Sequence, residues 1–305
     1  MIAIVAAILL STAAGVAAER RWPDRAGPGS RRSLLFVLYV ILPPTTFFNL
    51  TAIDFDADLG GGIVLGWAAV ALTALATWFV ATRTLHLTRP QIGAVIVCVI
   101  VANTGYLGLP LTAALFGLDR VGESVAYDIG VSAPAILIGG FAVGAAFGTR
   151  AGSGARERAG SFFARNLPLY AAIAALFAPD SFAPDVAVDI SRILVIAILP
   201  VGFFAVGAAL AEEAEVGALR IPPPLTRPTL LVIVAKLILL PALLVLLALP
   251  LIDLPDTYLL MALMPSGLNS MIVAHAYGLD LSITAEAITW TTSLVIAVTL
   301  VVSLL

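Results

Sequence analysis

The sequence predicts an all-α polytopic membrane protein with ten transmembrane helices, arranged as two inverted five-helix repeats. Three observations carry this. The chain has 305 residues, 61% of them hydrophobic and 11% charged, and its apolar runs recur along the whole length at roughly the 20 residues a bilayer span needs. Basic residues fall almost entirely in alternate loops. The second and seventh apolar segments share a Pro-x-x-Phe-Phe element, Pro44 to Phe48 and Pro200 to Phe204. Lipid forces each span to satisfy its own backbone hydrogen bonds, so continuous apolar runs mean helices. A membrane β-barrel would show short segments alternating with period two, and none stands out here.

The helices are expected at 2–18, 33–50, 60–82, 91–116, 122–148, 167–178, 187–211, 228–249, 257–278 and 282–305. The stretch Met1–Ala18 has the length of a signal peptide but lacks a basic leading region. Its basic residues follow the apolar run, so it reads as the first membrane helix. The sixth segment is short for a span, and its start is open toward Phe162. The polar stretch 149–166, with Arg150, Arg156 and Arg158, is the clearest linker. It divides a first repeat, 1–148, from a second, 167–305. The single cysteine, Cys98, lies in an apolar run, so no intrachain disulfide forms and packing is its ordinary role.

Orientation follows from the arginines. Loops after odd-numbered helices hold Arg20, Arg21, Arg25, Arg31, Arg32, Arg83, Arg89, Arg150, Arg156, Arg158, Arg165, Arg220 and Arg227; even loops hold only Arg120 and Arg192. Asp54, Asp56, Asp58, Asp180, Asp185, Asp189, Asp253 and Asp256 lie in even loops. Odd loops are therefore cytoplasmic, the linker among them, and both termini extracellular. An odd number of crossings per half turns the second half over relative to the first.

Helix four contains Asn103-Thr104-Gly105-Tyr106-Leu107-Gly108-Leu109-Pro110, and helix nine contains Pro265-Ser266-Gly267-Leu268-Asn269-Ser270. Each joins glycine, proline and a buried-type asparagine. Proline removes an intrahelical hydrogen bond, and glycine lets the backbone unwind. The freed amides and carbonyls need partners, and a polar substrate can be one. Counted from starts at Gln91 and Thr257, Asn103 and Asn269 fall at equal depth, roughly 18 Å into a ~30 Å hydrocarbon core. The two prolines do not align in that register. The plainer reading is that asparagine serves as interhelical glue and that membrane helices tolerate glycine and proline. Recurrence at the same rank in each half favours a binding site.

The segment Asn103 to Leu111 resembles the fourth-helix signature of the auxin efflux carrier family. Pro265 to Ser270, followed by Ala274-His275-Ala276-Tyr277-Gly278, is similar to the ninth-helix region of its prokaryotic members. The resemblance implies helices four and nine broken at prolines and crossing in a transport domain of helices 3–5 and 8–10. It implies a scaffold of helices one, two, six and seven, and a homodimer built on it. The family includes plant auxin carriers and bacterial carriers of small organic acids. The expected activity is thus secondary transport of a small organic anion across the cytoplasmic membrane. Asn103, Thr104, Tyr106, Asn269 and Ser270 are the candidate substrate-binding residues, and Gly105, Gly108, Pro110, Pro265 and Gly267 form the hinge of the crossover. The short linker departs from the plant carriers with long regulatory loops.

Charges inside helices are functional by default when they face the bundle interior. Lys236 and Asp128 are candidates for coupling or support and are placed to pair; Lys236 snorkelling to the cytoplasmic interface is the alternative. Glu286 is expected at the interface. His275 is expected as a packed polar residue, with a proton relay as the alternative. Glu212, Glu213 and Glu215 read as a solvated helix end. No Walker motif, metal cluster or nucleophile–base spacing is present, which argues against ATP-driven transport by this chain. The expected partners are the anion, the lipid bilayer and a proton or sodium, with no nucleic acid, cofactor or metal. A sodium- or proton-coupled symporter on the bile-acid-carrier plan is the alternative, though few carboxylates surround the crossing. An intramembrane enzyme would need a catalytic set at midplane, and a sensor a soluble output domain; neither is found.

Overall fold

A computed structural model describes residues 2–53, 56–149, 167–215 and 223–304. The expected linker 149–166 therefore lies almost wholly outside the described residues. Among these residues every regular element is helical. In chain order they are α1, Ile2–Arg21; α2, 23–51; α3, Ala57–Thr84; α4a, Arg89–Ile100, and α4b, 104–115; and α5, 121–147. Then follow α6, Leu167–Phe177; α7, Asp185–Glu215; α8, Arg227–Ala248; α9a, Asp256–Ala262, and α9b, Asn269–Tyr277; and α10, Leu281–Leu304. Four of them, in α3, α7, α8 and α10, are long and apolar enough to cross a bilayer on length and composition.

Polar caps set several starts. Asp56 accepts from the Leu59 N–H at 2.8 Å and opens α3. Thr88 and Gln91 form a capping box at the start of α4a. Thr226 accepts from the Thr229 N–H at 3.3 Å and opens α8. The start of α2 departs from expectation, at Pro23 rather than residue 33. Proline is tolerated in a first turn, and Asp24 beside it suits the positive helix end. The Gly27-Pro28-Gly29 cluster, which reads as a loop, is helical there and lies against α1: a Cβ on Gly27 would stand 3.3 Å from the carboxylate of buried Glu19.

Four of the prolines inside helices follow widened turns. Pro43, Pro110, Pro134 and Pro241 each stand two residues beyond a π-helical turn, at Val37–Ile41, Thr104–Gly108, Asp128–Ser132 and Ala235–Leu239. The wider ladder re-routes the bonds that the missing N–H would have closed.

Two groups of helices emerge from the packing. The largest buried cluster runs from Leu59 to Ala135 and from Val232 to Ala287, with Val195 its one buried member outside those stretches. It is built from α3, α4, α5, α8, α9 and α10. Away from it, α1 packs along α7 and α6 packs on α2. The close approach of α1 and α7 rests on Gly15 and Gly207, where a Cβ would collide with the Phe204 and Thr12 carbonyls at 2.1 Å.

Candidate functional site

The centre of the larger group is a crossing of two interrupted helices. α4a ends at Val101, whose backbone is extended, and helix resumes at Thr104. α9a ends at Ala262, and α9b begins at Asn269. The two gaps meet as an antiparallel bridge between Ala102 and Ser266. The Asn103 N–H donates to the Pro265 carbonyl at 2.8 Å, and the Gly267 N–H to the Val101 carbonyl at 2.9 Å. Two of the backbone groups freed by each gap are thus partnered by the other gap rather than left open to a substrate.

Ser266 anchors the crossing. Fully buried, it donates its hydroxyl to the Cys98 carbonyl at 2.7 Å, and its N–H donates to the Thr291 hydroxyl at 3.1 Å. The sequence reading included Ser266 in its motif but not among its candidates, because nothing local marks a contact with α4a and α10.

The break in helix four is not at Pro110. It lies at 101–103, more than a turn earlier, and Pro110 sits buried inside continuous helix. The ring follows the π-helical turn Thr104–Gly108, whose wider ladder lets the helix carry proline without breaking. Pro265 does lie in its gap and supplies a bridging carbonyl.

The candidate residues separate into groups. Asn103 is buried and caps α4b, its carbonyl accepting from the N–H groups of Leu107 and Gly108 at 3.3 and 3.2 Å. Asn269 is half-buried and is the first residue of α9b. Both asparagines thus stand at the starts of the second half-helices, where backbone N–H groups point outward and the helix end is positive. Ser270 is buried next to Asn269, its hydroxyl with no hydrogen-bond partner. Thr104 is turned to α5, where its hydroxyl donates to the Asp128 carboxylate. Tyr106 lies against α7 at Gly202, where a Cβ would come 2.8 Å from the tyrosine Cβ. The hinge glycines differ too. Gly108 faces Met261 and Met264 of helix nine, Gly267 abuts the Ala102 carbonyl, and Gly105 faces open space.

The charged candidates do not form the expected pair. Asp128 is bonded to Thr104, and no ion pair joins it to Lys236 among the described residues. The Asp128 carboxylate is instead held by Thr104 of α4b. Lys236 does not snorkel: it is 1% exposed. Glu286 is buried rather than solvent-facing, and accepts from the Thr226 and Thr229 hydroxyls at 3.0 and 2.7 Å at the start of α8. His275 is exposed on α9b, on the face opposite buried Val273, Ala274 and Tyr277. Toward the other end, Thr257 donates to Glu123 at 2.6 Å, and Glu123 pairs with Arg120.

Apolar helices, two of them interrupted and crossed at a buried polar centre, define a membrane transport protein. The chain belongs to the auxin efflux carrier family: the family model described as Membrane transport protein matches residues 26–142 and 168–303. No curated protein matches the chain.

Proposed function

We propose that this chain is a secondary carrier moving a small organic anion, such as a carboxylate, across the cytoplasmic membrane by alternating access. The observation that carries the reading is the crossing itself, which sets Asn103 and Asn269 at the starts of α4b and α9b. Two helix N-termini and two neutral amides hold a carboxylate without the cost of burying a full opposing charge.

The ten helices act as two inverted repeats, 1–148 and 167–305, joined by a cytoplasmic linker. The antiparallel sense of the Ala102–Ser266 bridge supports this, since helix nine then runs opposite to helix four. α3, α4, α5, α8, α9 and α10 move as the transport domain, consistent with their common buried cluster. α1, α2, α6 and α7 serve as the scaffold, with Tyr106 on Gly202 at the boundary. A homodimer forms through that scaffold.

The test is thermal stabilisation of the purified protein by a panel of carboxylic acids, since a ligand that binds only the native state raises its stability. Asn103→Ala and Asn269→Ala should each weaken the response. Loss of a hydrogen bond to a charged group costs about 1.5–3 kcal/mol, or ~10- to 150-fold in affinity. Normal apparent affinity in both variants would leave the asparagines as interhelical glue.

A further inference from the structure

Between residues 20 and 32 the chain carries five arginines and a single acid, Asp24. This stretch folds into a corner, where α1 ends at Arg21 and α2 starts at Pro23. In the corner lies a groove of about 440 Å³, bounded by the end of α1, one face of α2 and Phe204 of α7. It belongs to the helices outside the large buried cluster. Its α2 wall recurs at three- and four-residue steps from Arg25 to Ser33, so a single helix face builds it.

Two polar groups of that wall have no partner. Arg25 is exposed and, among the described residues, makes no ion pair and no side-chain hydrogen bond. Ser30 is only 6% exposed, yet its hydroxyl makes no hydrogen bond among the described residues. A guanidinium and a hydroxyl both donate, so the groove offers donors without an acceptor, and the guanidinium fork matches phosphate oxygens. The Glu19 carboxylate stands elsewhere, buried against Gly27 on a different face of α2.

The groove is polar at its mouth and apolar beyond. Exposed Trp22 stands at the rim, with the Arg21 guanidinium 5.9 Å over its ring; tryptophan marks a membrane–water interface. One and two turns past Ser33, Phe36 and Val40 are exposed and carry the same side of α2 on as an apolar track. A phosphate above a hydrocarbon chain fits this gradient, and basic pockets beside the cytoplasmic ends of membrane helices take anionic lipids. A second copy of the chain centred here would instead set Arg25 against Arg25 across a two-fold axis.

We propose that this groove seats one anionic phospholipid, its phosphate on Arg25 and Ser30 and an acyl chain along Phe36 and Val40. The site is separate from the carboxylate site proposed above and does not rest on it.

Melting of the full chain in a neutral detergent tests it. Phosphatidylglycerol added to the micelles should raise the wild-type melting temperature by several degrees more than phosphatidylcholine. Arg25→Gln should lose most of that difference. Arg83→Gln, which removes an exposed arginine at the end of α3, should keep it. Gly29→Leu is a second variant: Gly29 lines the groove and a Cβ there meets nothing within 4 Å, so leucine fits and fills the space. It should fold and lose the phosphatidylglycerol response. Equal stabilisation by the two lipids, a response retained in Arg25→Gln or Gly29→Leu, or an equal loss in Arg83→Gln would each overturn the proposal. Inorganic phosphate at matched ionic strength should leave wild-type melting unchanged. Stabilisation by phosphate alone that Arg25→Gln abolishes would make this a soluble-anion site, and dissociation of a dimer by Gly29→Leu in lipid-free detergent would give the groove to a second copy; either result overturns the lipid assignment.

Discussion

Gly267 passes directly under the backbone of helix four. A Cβ there would lie 2.8 Å from the Ala102 carbonyl oxygen and 3.0 Å from its carbon, and both are main-chain atoms held in the bridge. Gly267→Ala must therefore part the two gaps, with a destabilisation of about 1–3 kcal/mol expected for overpacking. Gly108→Ala meets Met261 Sδ at 2.6 Å, but methionine is flexible and yields, so its effect should be smaller. Gly105 faces nothing within 4 Å, and alanine there should be neutral or stabilising by up to ~1 kcal/mol. Thermal or denaturant melts of the three variants check this order, and equal effects would contradict it. In sequence the three glycines look alike, because close approach depends on a partner segment far along the chain. The same limit hid Ser266, whose hydroxyl bonds across to Cys98. The asparagines stood out in the sequence because they fall at equal depth in the fourth and ninth apolar segments. The Asp128–Lys236 pair was misread because both positions fit a buried charge, while the nearer partner of Asp128, Thr104, is uncharged.

At the scale of the helix, the apolar runs gave every segment its place, and the ends moved where tertiary contacts overrode local signals, as at Pro23. The interruptions are the less legible part. Proline suggests a break wherever it falls, yet Pro110 sits inside α4b behind a π-helical turn, and Pro265 lies in a gap. The two prolines should therefore behave differently. Pro110→Ala adds an N–H within a helix whose break lies upstream, so the crossing and any ligand response should persist. Stability should hold or rise, since proline is unfavourable by about 3 kcal/mol in a helix interior. Pro265→Ala lets residue 265 donate back toward Met261 and extends α9a through the gap. That draws the 265 carbonyl from the Asn103 N–H and removes half of the bridge. Carboxylate-dependent stabilisation should survive in the first variant and be lost in the second. Equal loss in both would place the functional break at Pro110 after all.

At the scale of the molecule, the direction of the chain through the membrane is the claim on which the rest depends. On the proposed topology, five crossings in the first half deliver the linker to the side opposite the start of α1, and five more return the chain. Helices four and nine must then run in opposite senses, and the Ala102–Ser266 bridge between them is antiparallel. The packing is consistent with the proposed halves: α1 packs on α7 as α6 packs on α2, and α3 lies against α8. The arginine bias predicts which side is which, with the basic loops in the cytoplasm. The single native cysteine is buried, so it gives no background to surface labelling. A cysteine introduced at Gly152 in the linker should resist a membrane-impermeant maleimide in intact cells and react once the cells are opened. One introduced at Asp253, in the even loop before α9a, should react in intact cells. An even number of crossings before the linker would reverse the first result while leaving the second to depend on the helices after it. Labelling of the Gly152 position from outside would therefore count against the five-helix half itself, and with it the opposed half-helix ends that the proposed carboxylate site requires.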